Sequence, residues 1–175
     1  HADINAFLRG ETPEKWVSRA KNPEGHQKLM VKATQIMDGI FEKTELPQEM
    51  QVFKGVDVRR WRITPDMMVD LAGKTITIPE YLSTSVSKHV ASRYTLSVNG
   101  PSYPGGSYAC RCDITVPKGT HAIPMTYGLT YSEWEKEILL PRNTKLHVTF
   151  TGWAADMKDE SRIADYWVMK ATVVP

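Results

Sequence analysis

Residues 135–148 read EKEILLPRNTKLHV, and their apolar and β-branched side chains predict two short strands, Glu137–Leu140 and Lys145–Thr151. The same criteria predict further strands on the N-terminal and C-terminal sides: Gln51–Val56, Thr75–Ile78, Tyr81–Ser85, Tyr108–Val116 and Tyr166–Val174. Because these short strands follow a helical front and are separated by turns, the sequence predicts an α+β fold with mainly antiparallel sheet.

The front of the chain is predicted to be helical. Asn22 and Pro23 are typical of a helix start, with Asn as the cap and Pro in the first turn. Apolar residues then recur at spacings of three and four: Leu29, Ala33, Ile36, Met37 and Ile40. We expect this helix to end near Lys43 and to bury its apolar stripe in the core. Shorter helices are expected at Thr12–Arg19 and Lys88–Tyr94.

The composition is that of an ordinary globular domain. The chain has 175 residues, of which 41% are hydrophobic and 24% charged, and this length suits one domain. We therefore expect a single domain over residues 1–175, with a helical lead-in at 1–45 and a β core at 46–175.

Charge and hydropathy argue against two classes of partner. The net charge is only +2, which is too small a basic excess for a protein that coats nucleic acid. No apolar run approaches the roughly 20 residues that a membrane-spanning helix needs. The chain begins with His1 and shows no signal-peptide pattern, so we expect an excised domain or a processed product.

The two cysteines, Cys110 and Cys112, lie two residues apart on a predicted strand. Their Cα atoms would be about 6.5 Å apart, which strains a disulfide. We therefore expect two reduced thiols packed against the strand, without a metal between them.

Glu135 and Glu137 are the first candidates for chemistry. On a strand, residues two apart share one face at about 6–7 Å, while Lys136 would face away. Carboxylates this close can divide electrostatic stabilisation and base catalysis between them. By spacing alone, however, the pair is better explained as solvated side chains at the start of a strand.

Two other segments carry polar groups at strand ends. Residues 81–85, YLSTS, end in three adjacent hydroxyls that could orient a carboxylate or could form the edge of a strand before a helix cap. Residues 52–56, VFKGV, place Lys54 beside Gly55, where a phosphate could approach the backbone closely. Each segment is weak evidence when it is taken singly.

Together and in this order, FKG, YLSTS and EWEKEILLPR resemble the arginine–serine–glutamate subclass of mono-ADP-ribosyltransferases. That family has an aromatic-Arg-Gly strand, an aromatic-Ser-Thr-Ser strand and a Glu-x-Glu pair leading into a strand similar to ILLPR. The resemblance extends from about Leu46 to the last strand, and the helical front matches the family's lead-in. It implies two packed, mainly antiparallel sheets around an NAD cleft, and transfer of ADP-ribose from NAD to an arginine of a target protein without a metal.

The resemblance also implies roles for individual residues. Glu137 matches the glutamate that stabilises the oxocarbenium-like centre as nicotinamide leaves, and Glu135 matches the one that engages the acceptor guanidinium. Ser83 matches the serine that orients the catalytic glutamate, with Thr84 and Ser85 lining the nicotinamide pocket. Lys54 and Gly55 occupy the family's cofactor-binding Arg-Gly position.

Two loops correspond to family loops around the cleft. The segment from about Pro124 to Trp134 matches the substrate-recognition turn, in which Tyr127, Tyr131 and Trp134 either stack on an arginine or pack beneath the loop. The segment Val98–Ser107 matches the loop over the NAD phosphates.

One position departs from the family pattern, because Lys54 stands where the family has arginine. Lysine keeps the charge but loses the planar fork that binds a phosphate bidentately. The change could weaken NAD binding, could be compensated by Arg59 or Arg60, or could mark a domain that has lost activity. Taken by themselves, Arg59 and Arg60 are better explained as solvated surface charges.

The expected protein is a monomeric toxin or phage enzyme that acts on a protein in another cell's cytosol. Three alternatives stay open: an NAD glycohydrolase in which water replaces the guanidinium, an inactive NAD- or protein-binding module, and a carboxylate-pair glycosidase with the roughly 5–5.5 Å spacing of retaining enzymes. The glycosidase is disfavoured because such carboxylates normally lie on different strands across a cleft.

Overall fold

The computed structural model describes residues 2–11, 23–98, 108–125, 136–154 and 166–175. The helices are α1 (Ala2–Leu8), α2 (Pro23–Phe41), α3 (Pro65–Val69), α4 (Lys88–Val98) and a 3-10 helix (Val58–Trp61). The strands are β1 (Met50–Asp57), β2 (Thr75–Ile78), β3 (Leu82–Ser85), β4 (Ala109–Val116), β5 (Ile123–Met125), β6 (Glu137–Leu140), β7 (Thr144–Trp153) and β8 (Trp167–Val174). In these parts of the chain, no helix is long and apolar enough to cross a membrane.

The strands form one eight-stranded sheet in the order β2-β7-β8-β4-β1-β3-β6-β5. Among the strands that the structure describes, only β4 and β8 pair in parallel, so the prediction of an α+β fold with mainly antiparallel pairing is confirmed. The family resemblance implied two sheets, whereas here one registered pair, Phe53 with Ser85, joins β1 to β3 and makes the sheet continuous. A single hydrophobic cluster includes side chains from both halves of the sheet, among them Leu82, Leu140 and Leu146.

The predicted buried stripe of α2 is wrong, although the helix itself begins at Pro23 as expected. Three members of that stripe are largely exposed: Leu29 (55%), Ile36 (54%) and Ile40 (43%). The buried face instead carries Met30, Thr34 and Phe41. Apolar spacing predicts that a helix has a stripe, but the neighbouring elements decide which face is covered.

Tyr81, just before β3, is the residue that selects the buried face of α2. Its ring stacks on Phe41 with centroids 5.6 Å apart, and its hydroxyl lies 3.0 Å from the carbonyl oxygen of Thr34 and 2.8 Å from Asp38. These contacts lie about a third of a turn away from the predicted stripe, so α2 presents that face to the sheet.

Asp38 continues this contact to the turn after β6. Two hydrogen bonds from the Arg142 guanidinium reach its carboxylate, at 3.0 and 2.8 Å. Partial burial would raise the pKa of Asp38, but hydrogen bonds from Arg142 and Tyr81 outweigh it and hold the pKa below its ordinary value. Helix α2 is therefore tied both to the start of β3 and to the β6–β7 turn.

Helix α4 lies directly on β1 because residue 55 is glycine. A Cβ at Gly55 would overlap the carbonyl oxygen of Ala91 and would come within 2.6 Å of the Thr95 amide nitrogen. Gly55 lies inside β1 and not at its end, and the space above it is filled by α4. The expectation that this glycine leaves room for a phosphate is therefore corrected: it permits the close approach of a helix.

Gly55→Ala should lower the free energy of unfolding by about 1–3 kcal/mol, because α4 must shift to admit the methyl group. Urea denaturation measures this change. Gly39→Ala is the matched control: nothing lies within 4 Å of the position that a Cβ would take there, and alanine in a helix should stabilise by about 0.5–1 kcal/mol. Equal stability changes in the two variants would contradict the close packing of α4.

Acid should weaken the hydrogen bonds of Asp38 over a pH range that its pKa sets. The pKa of Asp38 in the folded protein lies below its ordinary value of 3.8. Its contribution to the free energy of unfolding is therefore complete above pH 3.8 and is lost as the pH falls through the pKa of the folded state. Asp38→Asn should lower the free energy of unfolding at neutral pH by at most about 1 kcal/mol, since both partners are partly exposed. Urea denaturation at neutral pH and at about pH 3 measures the two differences, and equal differences would contradict the assignment.

Candidate active site

A cavity of about 370 Å³ lies between α1, α4 and the β1–β3–β6 part of the sheet, a size within the range of ligand sites. Six of the predicted site residues line it: Lys54, Gly55, Ser83, Thr84, Ser85 and Glu137. The others, Glu135, Tyr127, Tyr131 and Trp134, lie outside the described residues, as do residues 99–107 and the helix expected at Thr12–Arg19.

The register of β3 on β6 brings hydroxyls and a carboxylate together. Ser85 lies opposite Glu137, and Ser83 lies opposite Leu139. Because directly opposed residues of antiparallel strands point to the same face, Ser83, Ser85 and Glu137 share one face of the sheet. Ser83 and Glu137 are diagonal neighbours at about 7–8 Å, and no hydrogen bond joins their side chains.

The middle hydroxyl of the YLSTS segment has a structural partner. Thr84 is buried and donates a hydrogen bond of 2.6 Å to the carbonyl oxygen of Ile138 on β6. The Ser85 hydroxyl oxygen accepts a bond of 3.0 Å from the amide of Ser87, the residue just before α4. Thr84 and Ser85 therefore hold β3 against its neighbours at the wall of the cavity.

Lys136 does not have the strand conformation expected between the two glutamates. Its φ is +43°, in the left-handed region that lysine rarely adopts, and β6 begins only at Glu137. Glu135 lies outside the described residues, so the face that it was expected to share with Glu137 stays a prediction. Backbone strain of this kind is common at functional sites, and here it immediately precedes Glu137.

Lys54 lies in a desolvated part of the cavity. Burial lowers its pKa, the carboxylates of Glu80 and Glu137 oppose this, and the charge of Arg60 adds to it. Across the strand pair, Lys54 lies opposite Cys112, whose Sγ is 3.8 Å from that of Cys110. Both thiols are free and buried, as expected.

Helix α1 forms one wall of the cavity, which sequence reasoning missed. The Asn5 side chain donates to the Tyr81 carbonyl at 3.1 Å and accepts from the Tyr81 amide at 3.2 Å. Arg9 forms an ion pair with Glu80, and the second oxygen of Glu80 accepts a bond of 3.1 Å from the indole of Trp61. A lone asparagine in a polar N-terminal stretch gives no sequence signal for such a contact.

The two arginines after β1 have different surroundings. Asp57 accepts bonds of 2.9 and 3.0 Å from the Arg59 Nε, and the Arg59 guanidinium lies 4.6 Å from the centroid of the Tyr108 ring. Arg60 lines the cavity. Among the described residues, no group of three or more His, Cys, Asp or Glu side chains could hold a metal ion.

Comparison with known proteins agrees with this geometry. The family model for ADP-ribosyltransferase exoenzymes matches residues 1–171. No curated protein matches the chain in sequence.

Solved structures with a similar fold include several toxins. Plx2a, an ADP-ribosyltransferase toxin from Paenibacillus larvae, is 20% identical, with a TM-score of 0.68 over 99% of this chain and 80% of its own. An ADP-ribosyltransferase from Clostridium botulinum is 17% identical, with a TM-score of 0.65 over 98% of this chain and 79% of its own. BECa, an ADP-ribosylating toxin of C. perfringens solved with NADH, is 13% identical, with a TM-score of 0.70 over 99% of this chain and 40% of its own.

At these identities the solved structures establish the fold, and the family model supplies the membership. The family model covers nearly the whole sequence, and Glu137, a row of hydroxyls and three basic side chains line the same cavity. The chain belongs to the ADP-ribosyltransferase exoenzyme family.

Proposed function

We propose that this protein transfers ADP-ribose from NAD to an arginine side chain of a target protein and releases nicotinamide. The observation that carries the proposal is the position of Glu137, at the start of β6 and opposite Ser85 in the cavity. The family to which the chain belongs supports NAD as the substrate, and one of the similar solved structures is a toxin solved with NADH. The cavity fits that substrate chemically, because it combines cations for the phosphates with a carboxylate.

Glu137 stabilises the bond-breaking step. When the bond between the ribose carbon and nicotinamide breaks, its electron pair goes to the ring nitrogen, and positive charge develops on the sugar. A fixed carboxylate in a partly desolvated site lowers the energy of that charge. The leaving ring is already cationic in NAD and departs neutral, so its departure requires no proton.

The acceptor step needs a base. A guanidinium is protonated at neutral pH and is a poor nucleophile, so a carboxylate must hold it and take one proton as the new carbon–nitrogen bond forms. We assign this role to Glu135 and assign contact with the acceptor arginine to Tyr127, Tyr131 and Trp134. Ser83 is assigned as the positioning residue for Glu137, since the two side chains share one face of the sheet.

We assign the walls of the NAD site to four residues: Lys54, Gly55, Thr84 and Ser85. Lys54 supplies positive charge, and the other three supply shape. Residues 1–175 are proposed to form one catalytic domain that acts as a monomer, and the toxin is proposed to be secreted and to act on a target protein in another cell. The similar proteins from Paenibacillus larvae and Clostridium botulinum support this proposal.

Hydrolysis of NAD is the second candidate. The left-handed Lys136 ends the strand conformation just before Glu137, and Glu137 alone suffices when water is the acceptor. The two functions differ in their response to an arginine analogue, which accelerates only the transferase.

Glu137→Gln should abolish nicotinamide release from NAD, with and without agmatine as an arginine analogue. The loss should be on the order of 10²–10³-fold or more, because the developing charge loses its carboxylate. Glu42→Gln is the control, since Glu42 is exposed and belongs to no wall of the cavity. Equal activity in both variants would place the chemistry elsewhere.

Glu135→Gln should lose transfer to agmatine yet keep hydrolysis of NAD, because only the acceptor guanidinium needs its carboxylate. Chromatography of the products separates ADP-ribosyl-agmatine from free ADP-ribose. If both products fall by the same factor, the division of roles between Glu135 and Glu137 is wrong.

A further inference from the structure

We infer that Arg60, together with Lys54, binds the diphosphate of NAD, so that two separate cations replace the single arginine of the family pattern. The inference rests on the proposed function, which makes NAD the substrate. It assigns a substrate-binding role to a residue outside the three family segments.

Two of the basic side chains that line the cavity have no charged partner within the described part of the protein and can therefore bind an anionic ligand. Three basic side chains line it: Arg9, Lys54 and Arg60. Arg9 is neutralised by ion pairs with Glu80 and Glu11. No hydrogen bond or ion pair joins the side chain of Lys54 or Arg60 to another residue in the part of the chain that the structure describes. A diphosphate carries two negative charges, which these two cations match.

The short 3-10 helix explains why Arg60 and not Arg59 faces the cavity. Three residues make one turn of such a helix, so adjacent side chains point about 120° apart. Arg59 points to Asp57 and the Tyr108 ring, where its charge is already paired. Arg60 therefore points to another side, toward the cavity that also contains Lys54.

Lys54 and Arg60 are close enough for the charge of Arg60 to influence the pKa of Lys54. Burial is the largest cause of the lowered pKa of Lys54, and the charge of Arg60 lowers it further. Like charges that repel in a partly desolvated site are both stabilised by an anion bound between them. An arginine can bind one phosphate bidentately while a lysine acts as a point charge on the other.

The contacts at the phosphates stay the same while the ribose carbon reacts, so their loss should raise KM for NAD and leave kcat nearly unchanged. We expect Arg60→Ala to raise KM about 10- to 100-fold, as for the loss of charged hydrogen bonds. Arg60→Lys should recover part of the loss. Arg62→Ala is the matched control, because Arg62 is an exposed arginine two residues along the chain that does not line the cavity.

Binding by isothermal titration calorimetry, with ADP and adenosine as probes, tests the inference apart from catalysis. Arg60→Ala should weaken ADP binding about 10- to 100-fold and leave adenosine binding unchanged, whereas Arg62→Ala should equal wild type for both. Equal ADP affinities for Arg60→Ala and wild type would overturn the inference, even if the protein transfers ADP-ribose. A loss of ADP affinity specific to Arg60→Ala, in a protein that releases no nicotinamide, would support the subsite and overturn the proposed function. A chain that binds neither ADP nor NAD would overturn both.

Discussion

The pairing of β3 with β6 sets the geometry of the candidate site. Four registered pairs, from Leu82–Leu140 to Ser85–Glu137, bring the hydroxyl segment beside the glutamate. The Thr84 hydroxyl fixes this pairing through the Ile138 carbonyl. A slip of one residue would turn Glu137 to the opposite face. The rest of the fold supports this pair: α1 and α2 contact Tyr81 just before β3, and Arg142, just after β6, binds Asp38.

Electrostatics at the site follow from how the charges are paired. Glu80 and Asp57 neutralise Arg9 and Arg59 and thereby fix α1 and the 3-10 helix in place. Under the proposed function, Lys54 and Arg60 bind the diphosphate, and Glu137 stabilises the charge that develops on the ribose. A site in which every charge had a protein partner would hold its shape but would bind an anionic substrate weakly, because each bond to the substrate would first break one within the protein.

Much of the fold could be predicted from local sequence. The strands Thr75–Ile78 and Glu137–Leu140 have the predicted bounds, because their flanking turn residues are unambiguous. The buried face of α2 could not be predicted, since it depends on Tyr81, which is more than 40 residues away in sequence from Thr34. For the site, the family resemblance grouped Ser83, Ser85 and Glu137, and these three residues line one cavity in the structure. The φ of Lys136, the α1 wall and the role of Gly55 under α4 depend on contacts distant in sequence, which no local pattern encodes.

We propose above all that the protein transfers ADP-ribose from NAD to arginine, with the Glu137 carboxylate at the start of β6 stabilising the bond-breaking step. Mass spectrometry of an arginine-containing peptide, incubated with NAD and the protein, tests it most directly. We expect the peptide to gain one ADP-ribose on its arginine, and the matched peptide in which lysine replaces that arginine to gain no ADP-ribose. An unmodified peptide beside free ADP-ribose and nicotinamide would contradict it, because NAD would then be cleaved without transfer.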